Sequence, residues 1–351
     1  TAQDWRYWAK LNFTSQPTDK LQVYGRFGTA KYVNRISKYD AGAFGDVDGQ
    51  LDEGQSMKDS EVYLERLFIN YSFSPKTTFT FGRLPTANGT PDHLTRDEAN
   101  GGGYPHLVYN AFFEGWALSH KATSDLTLKF IHTPFMSTSN NTTTSGNTVD
   151  RVTDLWSVML EYEKTNLSWT RRFHLVLQHL SAQNISLGLN DLDVAGGNTV
   201  RSDLNYNINR TTLAVEMNGI MNSKFDFSYQ VMQLTHSTNE AFGVYSGSTK
   251  VGEYNWASED GKEQTFLAHL ITTRYAINDS NKFGFQYAKN DQNMQISDIV
   301  FRTPISMINP GTAYHLFYNH NLGDGMKVNI GLMQSQTDYA GFQGSALGEM
   351  L

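Results

Sequence analysis

The chain has 351 residues, a formal net charge of −7 and no cysteine. The acidic balance argues against nucleic acid as a partner, and the lack of thiols excludes thiolate metal sites and c-type haem attachment. Uninterrupted apolar runs stay far below the ~20 residues that a membrane-spanning helix needs.

The sequence repeats one unit: a run of alternating apolar and polar residues, a polar turn, a second such run, and a polar connection. Alternation of this kind predicts β-strands with one apolar face. In the first run Trp5, Tyr7 and Leu11 share a face, and Arg6 and Lys10 share the other. In chain order the predicted strands are 4–13, 20–36, 62–73, 77–84, 114–121, 126–134, 152–164, 167–180, 211–218, 225–237, 264–277, 283–290, 312–322 and 326–338.

The connections alternate between short and long. Residues 15–19, 74–76 and 122–125 are predicted short turns, whereas 85–110 and 136–150 are predicted long polar loops. Bacterial outer-membrane barrels have short periplasmic turns, long external loops, an apolar outer face and a polar lumen. The sequence therefore predicts an all-β fold, a transmembrane antiparallel up-and-down β-barrel.

The strand count sets the size of this barrel, which we treat as a single domain over residues 1–351. Fourteen strands are visible, and the sorting of the turns puts both chain ends on the outer side. Closed single-chain barrels start and end inside, so we expect one more strand before Thr1 and one after Leu351, which makes sixteen. The alternative is a soluble β-sandwich or soluble barrel, in which the apolar face would cover a dry core.

Four short stretches resemble a family of poorly characterised proteobacterial outer-membrane proteins that are regarded as porins. They are Trp-Arg-Tyr-Trp-Ala-Lys-Leu at 5–11, Phe-Gly-Arg-Leu-Pro-Thr at 81–86, Gly-Tyr-Pro at 103–105 and Phe-Glu-Gly-Trp-Ala-Leu at 113–118. The resemblance covers most of residues 1–118 and is loose beyond them. It implies a β-barrel diffusion channel without a cofactor, and it supplies no functional residues.

Loop 85–110 is the predicted constriction. A barrel of fourteen to sixteen strands is too wide for its own side chains to fill. With one strand before Thr1, this loop matches by position the third external loop of general porins, which folds inward. Its charges would face basic residues of the wall across a narrow aqueous slot and select solutes by charge and size. The expected lumen charges are Asp92, Arg96, Asp97 and Glu98 on the loop and Arg6, Lys10, Arg26, Arg66 and Arg83 on the wall, with Arg83 turned inward by a bulge.

Other kinds of site have weaker support. Asp46, Asp48 and Asp52 offer oxygen ligands for calcium, but their spacing departs from the standard calcium loop, and a solvated acidic loop is the simpler interpretation. Ser119 and His120 are adjacent on one strand and point to opposite faces, so they cannot act as nucleophile and base. We expect no catalytic site, no cofactor and no resident metal.

The leading functional interpretation is an outer-membrane porin, a water-filled channel for passive diffusion of small polar solutes or ions. Its other partners would be outer-membrane lipid and lipopolysaccharide, and analogy with general porins suggests a homotrimer. The alternative is a barrel sheath or receptor that encloses or binds a partner protein, for example an electron-transfer cytochrome. Loops 136–150 and 241–257 would then contact the partner. Preference for anions or cations stays open, because the named charges are of both signs.

Overall fold

Nearly every residue described by the computed structural model belongs to a strand. The described residues are 6–32, 62–86, 89–97, 104–108, 113–142, 148–186, 192–194, 198–201, 205–238, 242–246, 249–254, 264–290, 311–323 and 326–337. No helix within these ranges is long and apolar enough to cross a membrane.

The described elements are strands, one α-helix of five residues and one 3₁₀ turn. The strands are β1 (Arg6–Thr18), β2 (Leu21–Tyr32), β3 (Tyr63–Ser74), β4 (Thr77–Arg83), β5 (Glu114–Lys121), β6 (Leu126–Thr142), β7 (Thr148–Leu167), β8 (Thr170–Ser186), β9 (Leu192–Val194), β10 (Asn198–Arg201), β11 (Asn205–Asn218), β12 (Phe225–Thr238), β13 (Phe242–Ser246), β14 (Thr249–Tyr254), β15 (Gln264–Ala276), β16 (Asn281–Asn290), β17 (Gly311–Gly323) and β18 (Met326–Thr337). Helix α1 is Asp92–Arg96, and the 3₁₀ turn is Ile220–Asn222.

Fourteen of the strands form a single antiparallel sheet in chain order, β1–β8 followed by β11, β12 and β15–β18. Each of these strands pairs with the strand of the same sheet that follows it in the chain, which is the up-and-down arrangement of a transmembrane barrel. The predicted fold class and the fourteen visible strands are therefore confirmed. The end strands β1 and β18 each pair with one neighbour among the described residues, and a total of sixteen stays a prediction.

Two stretches that were predicted as turn or loop are strands instead. β1 continues through the predicted turn 15–19 as far as Thr18. β6 and β7 cover most of the polar tract 136–150, where Asn141 lies opposite Val149. The loop prediction was wrong there because it rested on composition alone. Threonine favours strands, and a backbone ladder can continue beyond the membrane with polar side chains on both faces.

A second sheet of four strands, in the order β14-β13-β10-β9, lies in the connections after β8 and β12. Pairing of β10 with β13 joins these two connections, both of which leave the main sheet on the side of the long loops. Stretch 241–257, predicted as a loop, therefore contains the hairpin β13–β14.

The outward face of the main sheet carries an apolar band. On β11, Leu213 is 39% exposed whereas the adjacent Thr212 is fully buried, so the apolar residues point away from the interior. His179, Thr211 and Gln233 form one outward register row across β8, β11 and β12. Seven to nine residues separate this row from the strand ends at the short turns, a height of ~20 Å for strands tilted by 35–45°. The band thus has about the height of the lipid-facing belt of outer-membrane barrels.

The chain between β4 and β5 folds inside the main sheet. We call residues 84–113 the inner segment, of which 84–86, 89–97, 104–108 and 113 are described. Its two ends meet where Leu84 N donates to the Phe113 carbonyl at 2.7 Å. Helix α1 and the residue after it are hydrogen-bonded to β11, β15, β16, β17 and β18. One short segment reaches strands from β4 to β18, so the sheet must curve around it.

The apolar core lies between the inner segment and the inner face of the sheet. Leu84, Tyr104, Leu107, Val108 and Phe113 supply the side of the inner segment, and all five are buried. The wall supplies apolar side chains, mostly aliphatic, from strands β5 to β17. They are Ala117, Ile131, Leu155, Met159, Val176, Leu180, Ala182, Ile208, Ala214, Met232, Leu234, Phe266, Ala268, Leu270, Ala288 and Ala313.

Candidate functional site

Glu216 on β11 anchors the start of α1. Its side chain is fully buried and accepts hydrogen bonds from Thr90 Oγ1 at 2.9 Å, His93 Nε2 at 3.1 Å and Arg172 Nη1 at 2.8 Å. Three donors, one of them a permanent cation, compensate for the desolvation of a buried carboxylate. Because Glu216 lies two residues before the end of β11, the contact holds α1 near the short-turn mouth of the sheet.

Gln230 on β12 is a second anchor and is also fully buried. Its Nε2 donates to the Thr90 carbonyl, and its Oε1 accepts from the backbone amide of Leu107 at 3.1 Å. One side chain amide therefore satisfies backbone groups from both halves of the inner segment. A buried glutamine suits this task because it offers both a donor and an acceptor.

Asp92, the first residue of α1, pairs within the inner segment. His106 Nδ1 lies 3.2 Å from both of its carboxylate oxygens. Burial alone would raise the pKa of Asp92, but His106, with Arg96 and His93 nearby, holds that pKa below its ordinary value. Asp92 therefore ties the two halves of the segment together as a carboxylate.

Asp97 follows α1 and meets three cations from the far strands. Its Oδ1 accepts from Arg274 Nη1 at 3.0 Å and from Lys282 Nζ, and Lys327 Nζ lies 3.7 Å from its Oδ2. Lys327 also donates to the backbone carbonyl of Asp97. Arg274 is shared with Asp226, whose Oδ2 accepts from Nη2 at 2.7 Å and from Nε at 3.0 Å. These contacts fix the end of α1 against β15, β16 and β18.

A second ionic group lies on the inner face of β6, β7 and β8. Glu161 binds Lys129 Nζ at 2.6 Å and His174 Nε2 at 2.9 Å, and Glu163 binds Arg172 Nε at 2.8 Å. One ligand atom each from Glu161, Glu163 and His174 lie within 4.8 Å of one another, a spacing that a metal ion could bridge. Each of these groups already has a cation or hydrogen-bond partner, so we assign the cluster as an ion-pair network.

The inner face of β2–β4 is covered less than that of β7–β17. Gln22, Tyr24, Phe68, Asn70 and Thr80 all point inward and remain partly exposed, whereas most inward residues of β7–β17 are buried. Tyr24 stacks on Phe68 with ring centroids 5.1 Å apart and donates its hydroxyl to Gln22 at 2.9 Å. Thr80 donates to Asn70 at 2.7 Å. These side chains form a polar and aromatic strip that is partly accessible to solvent.

The contacts correct the expected pairing of the loop charges. Asp92 binds His106 of its own segment, and Asp97 binds cations of β15, β16 and β18 rather than the basic residues of β1–β3. The physical reason is that α1 crosses the interior to the far strands instead of standing opposite the near wall. The Arg96 carbonyl is an acceptor for Asn329 on β18, on the same far side. A role of Asp92, Arg96 and Asp97 in lining a pore stays a prediction.

The predicted wall arginines have different environments. Arg26 Nε donates to Asn12 Oδ1 at 2.6 Å on the inward face, and Arg66 is buried. Arg83 lies opposite Leu67, an exposed outward residue, and its Nη1 donates to the Leu64 carbonyl at 2.9 Å. The register thus favours the outer face for Arg83, not the lumen.

Several predicted site residues cannot be placed. Only the backbone of Arg6 and Lys10 is described, as part of β1. Glu98 and the weak calcium candidates Asp46, Asp48 and Asp52 lie outside the described residues.

The main anchors of the inner segment were missed by sequence reasoning. They are Glu216, Gln230, Arg274, Lys282 and Lys327, far along the chain from residue 97. One signal was available: each is a polar residue at an inward position within an otherwise regular alternation. Nothing in the sequence, however, says which loop such a residue will meet.

Known proteins are similar to this chain at the level of fold. A family model described as "Protein of unknown function (DUF3373)" matches residues 5–132. No curated protein matches the chain. OmpF of Salmonella typhi, solved in complex with daunomycin, is 7% identical, with a TM-score of 0.51 over 95% of this chain and 84% of its own. An anion-selective porin from Comamonas acidovorans is 10% identical, with a TM-score of 0.49 over 94% of this chain and 79% of its own.

The chain therefore has the fold of the outer-membrane porins. The likeness to OmpF, the single up-and-down sheet and the outward apolar band agree on a transmembrane β-barrel. Barrels of this type reside in the bacterial outer membrane.

Proposed function

We propose that the protein is a passive diffusion channel for small polar solutes or ions, without catalytic activity. The observation that carries this proposal is the unequal cover of the inner wall. The inner segment fills the side of β5–β17 with apolar core, and it leaves the polar strip on β2–β4 partly exposed. Water and solutes would pass along that strip, beside the inner segment rather than through it.

The inner segment acts in this proposal as a fixed lining and not as a gate. Five of its apolar side chains are buried against the wall. At about 1.5–3 kcal/mol for each, withdrawal of the segment would lose about 8–15 kcal/mol. That is comparable to the whole free energy of unfolding of a typical domain, about 5–15 kcal/mol. Conduction must therefore occur with the segment in place.

Planar-bilayer recording of the purified full chain tests the proposal. Steady ion current at low voltage is the expected result, and its absence over a range of voltages would reject the channel. The chain has no cysteine, so single cysteines can be introduced against a clean background. Asn70→Cys, on the strip, should let a bulky thiol reagent lower the conductance by about a third or more.

Ser228→Cys is the matched control, because Ser228 points inward on β12 but is fully buried. The reagent should leave its conductance unchanged. Block at position 228 and not at position 70 would place the passage on the other side of the inner segment and overturn the proposed route.

The alternative, a sheath around a partner protein, is not favoured by the interior. The chain's own residues occupy the space next to β5–β17, so little room is left for another folded chain. Co-purification of a haem protein with the barrel would revive the alternative. A homotrimer stays part of the proposal by analogy, and native mass spectrometry in detergent would measure it.

A further inference from the structure

The contacts of Asp97 bring three cations to the short-turn mouth of the barrel. We call Arg274, Lys282 and Lys327 the basic cluster. Lys282 is the second residue of β16 and Lys327 the second of β18, while Arg274 stands two residues before the end of β15. All three therefore lie within about 7 Å of the strand ends. Asn329, two residues after Lys327, accepts a hydrogen bond from the buried Asn319 of β17, which marks this face of β18 as inward.

The three cations of the basic cluster are bound by two carboxylates, Asp97 and Asp226, so one positive charge is in excess. These carboxylates are 13% and 6% exposed, and Arg274 is 13% exposed. The lysines are more open, at 22% for Lys282 and 34% for Lys327. A solute at this mouth would thus meet the ammonium groups more readily than the less exposed carboxylates.

The ionic group on β6–β8, counted with Glu216 of β11, has three carboxylates, Glu161, Glu163 and Glu216, for two permanent cations, Lys129 and Arg172, but only Glu163 among its carboxylates is exposed. On β7 and β8, Glu163 is exposed, but both of its oxygens are bound by Arg172, at 2.8 and 3.3 Å. Glu161 is largely buried between Lys129 and His174. The exposed charges of the two groups are therefore two ammonium groups on one side and one carboxylate, bound by Arg172, on the other.

We propose that the basic cluster makes this channel selective for anions, which rests on the proposed channel function. The chain as a whole carries a net charge of −7, but selectivity depends on the charges that line a confined aqueous path. Low-dielectric walls focus the field of such charges into the water, and a ring of lysines or arginines is a recurrent device of anion pores. Small inorganic anions and organic carboxylates or phosphates are the solutes that this lining suits.

Reversal potentials in a KCl gradient of about tenfold test the proposal on the full chain. We expect the wild-type channel to favour chloride over potassium by a factor of about 2 or more. The double variant Lys282→Gln/Lys327→Gln should lower that ratio by about half or more. Lys282→Arg/Lys327→Arg should retain it, because the charge is kept.

Lys224→Gln is the matched control: Lys224 also lies at a short turn, where it donates to the Ile277 carbonyl outside the cluster. It should leave the ratio unchanged. A wild-type preference for potassium, or a double variant with the wild-type ratio, would overturn the anion assignment while the channel stands. Absence of current in every variant would instead reject the channel itself. The gel shift on heating, which folded barrels show and unfolded chains lack, verifies that each variant is folded.

Discussion

Two buried carboxylates inside this barrel, Glu216 and Asp226, are each bound by donors from more than one part of the chain. Glu216 receives a threonine, a histidine and an arginine, and Asp226 receives the Gly219 amide at 2.9 Å as well as Arg274. An unmatched carboxylate in such a place would be strongly destabilising. Single side chains therefore decide how firmly the inner segment is held.

Glu216→Gln should lower the free energy of unfolding by about 2–4 kcal/mol, because it leaves Arg172 and His93 with a neutral amide in a buried site. Urea unfolding in lipid vesicles, followed by tryptophan fluorescence, measures the change. Glu163→Gln is the control. Glu163 shares Arg172 but is exposed, so its loss should cost below about 1 kcal/mol. Equal effects of the two variants would contradict the assignment of Glu216 as the anchor.

Acid should weaken the anchoring of the inner segment, because it protonates the Asp92 carboxylate that pairs with His106. A carboxyl group whose pKa is depressed by folding stabilises the protein fully above its unfolded pKa, about 4, and loses that contribution as pH falls through the lower folded pKa. The stability difference between wild type and Asp92→Asn should therefore be largest above pH ~4 and shrink below it. Unfolding curves across this range provide the measurement.

Asp279→Asn serves as the control for the acid experiment. Asp279 is exposed in the turn between β15 and β16, so its replacement should change stability little at any pH. A difference for Asp92→Asn that does not vary with pH would show that Asp92 acts through shape and not through charge.

At the scale of elements, the inner segment makes apolar and polar contacts at different heights of the wall. Its apolar residues pack against wall residues farther from the short turns, and its polar residues bind the strand ends near the short turns. The strands that carry it, β4 and β5, have only seven and eight residues, whereas β7 has 20. The chain therefore turns inward at a low point of the wall, from which it can reach the far side.

The variant Leu107→Ala tests whether the inner segment is a fixed lining of the channel or a gate. Leu107 is buried, so the variant should lose about 2–4 kcal/mol of stability through the cavity that it creates. Its single-channel conductance should stay within about a fifth of the wild-type value, because the passage does not run through the apolar core. Both quantities are measurable on one preparation.

Leu128→Ala is the control for this variant, since Leu128 is exposed on the outward face of β6. It should change stability less than Leu107→Ala and leave conductance unaltered. A several-fold rise in conductance for Leu107→Ala would mean that the core is a gate.

Strands were predictable because their alternation is local. Strand β5 has the predicted bounds, and the inward and outward faces of β12 and β16 agree with the sequence pattern. The inner segment was predictable only in its position along the chain. Helix α1 was missed because five residues with histidine and threonine carry no helical periodicity, and because its stability comes from contacts with Glu216, Asn319 and other distant residues.

At the scale of the whole molecule, the outward band sets where the barrel meets lipid. Leu213 lies in the band. Thr211, two residues away on the same face, lies in the row with His179 and Gln233 at the edge of the band away from the short turns. Leu213→Arg should therefore cost about 2–4 kcal/mol of unfolding free energy in bilayers, and Thr211→Arg about 0–1. The same urea titration compares them. Equal costs would mean that the band is misplaced along the strand.

The contacts that seat α1 join residues that are 177, 185 and 230 positions apart in the chain. Loops of this length close slowly, and β15, β16 and β18 all follow the inner segment by more than 150 residues. Until those strands are in the sheet, the inner segment has no far wall to bind. The lining of the passage is therefore completed late in assembly, after most of the sheet, and a chain that stops after β12 would present the segment without its basic partners.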